Sequence, residues 1–436
     1  MDAYFCYVGG SKSIWWLAGW YPSSLDASAG NFIGRHAAAF AQYQRGRKDS
    51  FGLVLFHFPV YRLGKDARPM SVMEVDGVVG VDDVAGVSGV EVVWKAVGQL
   101  PWGGGVFRVL NYWIYKIVAG MALRRHAAAH GIPEGVHVHA GDKVARLIPD
   151  LYKNFRKAGK GAVPLWYTEH WAIFNEVVFD GFGKRGWVFK RDFFRLWEKV
   201  TVAAPVSLAA QRSMHAYLGG AKPFVLFRNV VDTSVFQFKE PNKDSALPFA
   251  FLHVSSLEPR KNILGMLRAF AALKKKHPSW RMQFRLVGGA NELYLSEART
   301  YAFGLGLLHI FQPSVAFFGP RNAADVAFQM QEADAFVLFS EMENAPCVIS
   351  EALCCGLPVI SSSVAGIPEM VTIENGLLVD SMDEAAMTLA MEKAYLENEQ
   401  WNRMAIAEDA VRKYAQNAVA EVLDLSYRNL IDLCAE

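Results

Sequence analysis

The sequence predicts an α/β protein made of two doubly wound domains, each a parallel sheet covered by helices. Three observations carry that expectation. Apolar strands alternate with helical stretches in two successive series, a polar stretch separates the series, and the two halves carry opposite net charge. A chain of 436 residues is also too long for one ordinary core. With 52% apolar and 20% charged residues, it has the composition of a folded chain, not a disordered one.

In the first series the strand-like runs are residues 14–18, 52–58, 90–94, 136–139, 165–168, 200–203 and 224–227. They are short and rich in β-branched and aromatic residues, as strands buried on both faces are. Helical stretches lie between them. Residues 33–42 keep Ile33 and Phe40 on one face, and 142–156 place Val144, Leu147, Ile148 and Leu151 at helical spacing. The polar run 239–245 has the composition of an exposed connection, which sets a first domain at 1–238 and a second at 239–410. The second series reads as strand 249–254, helix 263–276, strand 282–287 stopped by Gly288-Gly289, and strands 335–339 and 358–361. From 383 onward the chain is helical, and 411–436 is expected to pack back on the first domain.

Through Val230 there are 28 Lys and Arg against 17 Asp and Glu, a net +11; the remainder has 17 against 26, a net −9. The basic half is suited to something anionic. No zinc-finger, RNA-recognition or basic-zipper pattern occurs, so nucleic acid is not the expected partner. An acidic membrane face or a lipid pyrophosphate is. The clusters Lys153, Arg156, Lys157, Lys160 and Lys184, Arg185, Lys190, Arg191 are expected to bring the protein to anionic membranes without insertion. The apolar stretch 109–123 carries Lys116 and is short for a bilayer span, so it reads as a buried or interfacial helix. Five cysteines without framework or metal spacing fit a reducing compartment, and no secretory signal is visible. The expected location is cytoplasmic, at the inner face of the membrane.

In open α/β sheets ligands bind beyond the carboxyl ends of the strands, so functional residues should follow strands. The segment 339–360 reads as strand, loop, helix, glycine stop and strand. Glu343 falls in its loop, Pro346 suits a first helical turn, and the amides that start the helix can face a diphosphate or sugar hydroxyls. Glu351 lies about two turns along, where a carboxylate can accept two hydrogen bonds from a diol. Taken singly, Glu343 is a helix cap and Glu351 a solvated helix residue; the ensemble argues for a site. Arg260 and Lys261 sit between a strand and a helix, where a cation can neutralise a departing diphosphate. Basic residues at a helix start oppose its dipole, which favours an anionic ligand there. His170 follows strand 165–168 and can hydrogen-bond a sugar or relay a proton. His137 and His139 alternate on a strand but have no third ligand at sensible spacing, and read as structural or acceptor-side. There is no Asp-x-Asp to hold a divalent ion, so no metal is expected, and no P-loop motif occurs.

The segment around Glu343 and Glu351 resembles the E-x7-E signature of retaining glycosyltransferase family 4. Ala18-Gly19-Trp20-Tyr21-Pro22 with Gly30-Asn31-Phe32 is similar to that family's opening glycine loop, and Thr168-Glu169-His170-Trp171 to its histidine motif. Asn229-Val230-Val231-Asp232 with Phe236 resembles the Asn-Gly-Val-Asp-x-x-x-Phe that closes the first domain, with Val230 in place of the glycine. Val315-Ala316-Phe317-Phe318-Gly319 is similar to its V-x-F-x-G. The motifs cover most of the chain in the expected order.

The resemblance implies the GT-B fold, two doubly wound Rossmann-like domains facing a central cleft. It also implies a retaining, metal-independent transferase that moves a sugar from a UDP- or GDP-sugar to a glycan or lipid-linked saccharide, in surface polysaccharide or glycan biosynthesis. Glu351 would hold the donor ribose and Glu343 the sugar hydroxyls, with Asn344, Ala345 and Pro346 lining the sugar and phosphate pocket. Phe317 and Phe318 would sit near the nucleobase. Gly30 would let the first-domain loop approach the phosphates or acceptor closely, and His170 would position substrate near the anomeric carbon. Lys261 matches the family's lysine. Ser255-Ser256 stands where Gly-Arg is usual, so Ser256 replaces an arginine and Arg260 would supply that charge. Two other readings remain open: a GT-B epimerase or phosphorylase, and a carbohydrate-binding scaffold without catalysis.

Overall fold

A computed structural model describes residues 12–20, 31–62, 76–80, 90–95, 97–100, 105–174, 181–240, 247–289, 291–308 and 313–435. The chain divides into two compact units, one of Met1–Val206, Ala210–Phe227 and Val419–Glu436, the other of Ser207–Ala209 and Arg228–Ala418.

The first unit is built on strands β1 (Ser13–Ala18), β2 (Gly52–His57), β4 (Asp76–Gly80), β5 (Val90–Lys95), β7 (Gly135–His139), β8 (Leu165–Thr168) and β9 (Val202–Ala203). They form one sheet in the order β4-β5-β2-β1-β7-β8-β9, parallel except where β4 meets β5; β3 (Val60–Arg62) and β6 (Val97–Gln99) pair separately. From β1 the chain winds outward through β2 and β5, then returns to the other side through β7, β8 and β9. The switch point is therefore β1 and β7. Strand alternation explains the double tryptophan of β1. Trp15 packs on Phe155 of helix α3 (Ile148–Lys157) and on His126 of helix α2 (Gly105–His130). Trp16 faces the other way, towards Phe40 of helix α1 (Asn31–Gln44). Its indole N–H donates to Tyr427 Oη at 3.0 Å, and Tyr427 belongs to helix α12 (Gln416–Ala435).

The second unit contains β10 (Phe249–Val254), β11 (Met282–Val287), β12 (Val315–Phe317), β13 (Ala335–Leu338), β14 (Val359–Ser362) and β15 (Gly376–Val379). The order β12-β11-β10-β13-β14-β15 is parallel throughout, with its switch point between β10 and β13. One face is covered by α6 (Ile263–Lys276), α7 (Glu292–Gly304) and α10 (Glu384–Leu396), the other by α8 (Ala323–Glu332), α9 (Cys347–Cys354) and α11 (Arg403–Tyr414). Neighbours Phe251 and Leu252 of β10 enter opposite cores, as alternation requires. Each unit is thus an α/β, doubly wound sheet covered by helices.

Four details differ from the sequence reading. The expected helix 142–156 is a 3-10 turn, Val144–Leu147, followed by α3. Pro149 lacks an N–H and crowds the preceding turn, so the α-helix begins there instead of passing through. The expected strand 224–227 is a single bridge from Phe224 to Ala203. Val225 and Phe227 still donate to the carbonyls of Ala203 and Pro205, but Pro205 has no N–H to return. The units divide after Phe227 and not at 238/239, because Val231 donates to the Tyr414 carbonyl at 2.9 Å and Phe236 joins the second unit's core. The later crossing lies after Ala418 and not at 410/411. The apolar stretch 109–123, expected as a buried or interfacial helix, does lie within a helix, α2, and is partly buried.

Candidate active site

The polypeptide leaving β10 and the polypeptide leaving β13 both turn at the second unit's switch point. After β10 comes a single 3-10 turn, Pro259–Lys261, ended by Asn262 in the left-handed region (φ 51). Asn tolerates that region, and its Oδ1 accepts from the Gly265 amide at 3.1 Å, capping α6. After β13 the loop carries Ser340, Glu341 and Glu343 into α9, with Pro346 at the N-cap. The Glu341 amide donates to the Arg260 carbonyl at 3.0 Å and joins the two loops.

At this junction the Lys261 ammonium donates to Glu343 Oε1, with both side chains buried. Ser340 Oγ donates to the same oxygen at 2.8 Å, and the Ser340 carbonyl accepts from Ser362 Oγ, at the end of β14, at 2.6 Å. A buried charge is tolerable only when paired and hydrogen-bonded, and here each is. The ammonium keeps donors to spare, and the carboxylate keeps its second oxygen. Such a pair can meet an anion and a hydroxyl side by side.

The neighbouring strand ends close on this junction. Gly288, just past β11, has φ 133, and a Cβ there would lie 1.7 Å from the Ser255 carbonyl oxygen. Only glycine permits that approach. Its amide donates to the Gly319 carbonyl, and the Phe318 amide to the Leu286 carbonyl, which ties the Phe317-Phe318 segment to the same edge. The two phenylalanines are half-buried, and the Arg299 guanidinium stands 5.7 Å from the Phe317 ring centre. His253 is buried between the Val337 carbonyl and Ser255 Oγ, and burial lowers its pKa to about 4, so it is neutral.

The other candidates of this unit fall as follows. Glu351 is buried on α9. Asn344 and Ala345 lie in the loop before it; the Asn344 carbonyl accepts from the Gly366 amide at 3.1 Å, and the Ala345 carbonyl from Asn229 Nδ2 at 2.7 Å. Asn229 is thus a holder of this loop, a role its motif did not suggest. Ser340 was missed as well, because a serine after a strand carries no signal of its own. Of the two cations, only Lys261 turns inward. Arg260 is exposed and held by Glu258 at 2.6 Å, and Ser256 is exposed too.

In the first unit, His170 Nε2 lies 3.2 Å from His139 Nδ1, with the two rings stacked at 5.5 Å. Phe32 lies 4.5 Å from His170 and His36 5.6 Å away. His137 is fixed by Tyr427 Oη at 2.6 Å and Thr168 Oγ1 at 2.8 Å. Burial, then neighbouring imidazoles, hold His139 and His137 well below the ordinary histidine pKa, so both are neutral. Beside them the buried Glu169 carboxyl accepts from Tyr167 Oη at 2.6 Å and from the Trp171 and Gly141 amides. Burial raises its pKa to about 7 against the pull of those donors. Gly30 lies outside the described residues. Gly181, Gly183 and Gly186 have the Gly-x-Gly-x-x-Gly spacing. They flank a 3-10 turn before helix α4 (Trp187–Lys199), not a direct strand-to-helix turn, and so lack the dinucleotide-binding context. Among the described residues, one trio could hold a metal ion: Glu91 of β5 with His126 and His130 of α2, none of them among the expected site residues.

Residues 236–411 match the model of the family described as Glycosyl transferases group 1. The match falls within the second unit. Over 151 residues the chain is 31% identical to the D-inositol 3-phosphate glycosyltransferase of Corynebacterium kroppenstedtii, covering 33% of this chain and 32% of that protein. It is 28% identical over 156 residues to the O-antigen chain mannosyltransferase B of Escherichia coli, covering 36% and 39%. The matched stretch therefore spans about a third of these curated relatives. Two solved structures extend the likeness to the whole chain: sucrose-phosphate synthase from Thermosynechococcus elongatus and Anabaena HepE in complex with UDP. Each has a TM-score of 0.68 at 17% identity, covering 97% and 96% of this chain and 100% of the other. At that identity they establish the α/β, GT-B fold and no more.

Proposed function

We propose that the protein is a retaining, metal-independent glycosyltransferase that moves a sugar from a nucleotide-sugar donor to a glycan or lipid-linked saccharide, in surface polysaccharide or glycan assembly. The observation that carries this reading is the buried Lys261–Glu343 pair at the carboxyl ends of β10 and β13, next to the start of α9. Lys261 and the first-turn amides of α9 meet the donor diphosphate. As the bond from the anomeric carbon to the phosphate oxygen breaks, charge builds on that oxygen, and Lys261 stabilises it. Glu343 accepts from the sugar hydroxyls, and Glu351 from both hydroxyls of the ribose. The acceptor hydroxyl attacks on the face the leaving group vacates, its proton passing to the departing phosphate, so the anomeric configuration is kept. His170 keeps the substrate-positioning role that the family resemblance implies.

The absence of Asp-x-Asp from the sequence supports activity without a divalent ion. UDP-sugars are the first donors to try, because HepE, similar in fold, was solved with UDP. The test is release of the nucleoside diphosphate from UDP- and GDP-sugars with and without oligosaccharide or lipid-linked acceptors, in excess EDTA. The reading requires release that depends on acceptor and survives chelation, and a first-formed linkage with the donor's anomeric configuration by NMR. Release without acceptor, or an inverted linkage, would overturn it.

A further inference from the structure

Helix α2 runs for 26 residues without one acidic side chain. One stripe of it is buried, Tyr115, Ala119, Leu123 and His126, with Tyr115 packed on Phe58 and His126 on Trp15 and Phe56. Other positions stay open to solvent although they are apolar: Val106 is 70% exposed, Val109 57%, Trp113 51% and Ile117 53%. Their spacing of three and four residues makes them a stripe along the helix, where a helix facing water would carry polar residues. Helix α4 adds to this surface. The Arg191 guanidinium donates to Tyr112 Oη at 2.9 Å and stands 5.1 Å from the Trp187 ring centre, so the first turn of α4 adjoins the middle of α2. Trp187 there is 72% exposed. Around the apolar stripe the exposed charges of α2 are all positive: Arg108, Arg124 and Arg125. Lys184 is exposed at the approach to α4.

We propose that this face of α2, with the first turn of α4, docks the protein on an anionic lipid bilayer, lying in the interface with its apolar stripe among the upper acyl chains. The buried stripe excludes a spanning role, since protein already occupies one side of the helix. Tryptophans flanked by arginine and lysine, with no carboxylate on α2, complement a surface of anionic headgroups above hydrocarbon. Pairing α2 with a second copy of itself would set cations against cations. The inserted stripe replaces the purely electrostatic adsorption expected from the basic clusters alone. The inference rests on the first unit and is independent of the donor chemistry.

The test is co-sedimentation of the full chain with phosphatidylcholine vesicles, with and without phosphatidylglycerol, at low and high salt. Binding is expected on the anionic vesicles, and high salt should weaken it without abolishing it. The double variant V109E/I117E changes two exposed side chains and should melt as the wild type does, yet partition at least ~10-fold less. R124E/R125E should lower binding to anionic vesicles and flatten its salt dependence. Equal sedimentation of V109E/I117E and wild type, or no binding of wild type to anionic vesicles at low salt, would overturn the proposal. So would a lipid-free dimer that V109E/I117E abolishes, which would assign the face to a second copy. Nucleotide release with a soluble acceptor needs no vesicle, so failure here and failure of the transferase reading are told apart.

Discussion

At the first unit's switch point Gly19 turns against the Ala140 carbonyl, where a Cβ would come within 2.1 Å; beside the second unit's, Gly288 presses on the Ser255 carbonyl in the same manner. The backbones close alike, but the side chains gathered around them do not. In the first unit they are imidazoles: His139 stacks on His170 and lies tilted against His137, and burial keeps His137 and His139 neutral. In the second they are an ammonium and a carboxylate, each buried only because the other is present. One topology thus hosts a cluster of imidazoles and a buried pair of opposite charges. The difference lies in which residues end and follow the strands, not in how the strands are ordered.

The sharpest way to break this contrast is Lys261→Ala. Loss of the one inward cation should lower kcat by ~10²–10³-fold, the usual effect of removing a transition-state donor. Steady-state kinetics with kcat within a few-fold of wild type would remove the second site's distinguishing feature. The next largest effect concerns acid. Burial lowers the His57 pKa to about 4, with Ala18 accepting from its ring, and the pKa values of His137 and His139 are depressed as well. A histidine depressed in the folded state contributes stability that is full above pH ~6.5 and is lost as pH falls through its folded pKa. For His57 alone the loss is about 3 kcal/mol. Glu169, raised to about 7, acts in the opposite direction, favouring the fold as pH falls from 7 to 4.5. The histidines outnumber it, so the first unit should melt progressively earlier between pH 6.5 and 4, and His57→Gln should flatten that slope. A melting temperature flat over this range would show these imidazoles to be less buried than described.

Glu351→Ala should weaken nucleotide-sugar binding ~10- to 100-fold, because charge-assisted bonds to a diol are lost. Unchanged affinity in calorimetry would detach Glu351 from the donor. The smallest effect is expected at Arg260, which is exposed and already held by Glu258. Arg260→Ala should change kcat/KM by less than ~3-fold, and a loss as large as that at Lys261 would mean that both cations serve the diphosphate.

Strands buried on both faces were the most legible part of the molecule. Residues 249–254 and 165–168 begin and end where their largely apolar runs do, because both faces are buried and the polar exceptions, His253 and Thr168, find hydrogen-bond partners. Legibility failed where a single backbone N–H decided the outcome, at Pro149 and Pro205. It failed for the charge pair too. Lys261 and Glu343 are 82 positions apart, and which of two adjacent cations turns inward depends on a left-handed Asn262 that composition does not announce. Helix α2 shows the converse. Its apolar character was plain in the sequence, but only packing tells which residues the protein itself covers.

The tie from Trp16 to Tyr427 joins residues 411 positions apart. The innermost strand of the first unit therefore acquires its partner only after the whole second unit has left the ribosome. Residues 228–418 can complete their core from one nearly continuous stretch as they emerge. The first unit must hold Trp16, His137 and Trp166 partly bare until α12 arrives, since Tyr427 and Ser426 bond to all three. Removal of α12 should thus leave its mark at the opposite end of the chain, as a first unit that collapses without closing and is held by chaperones.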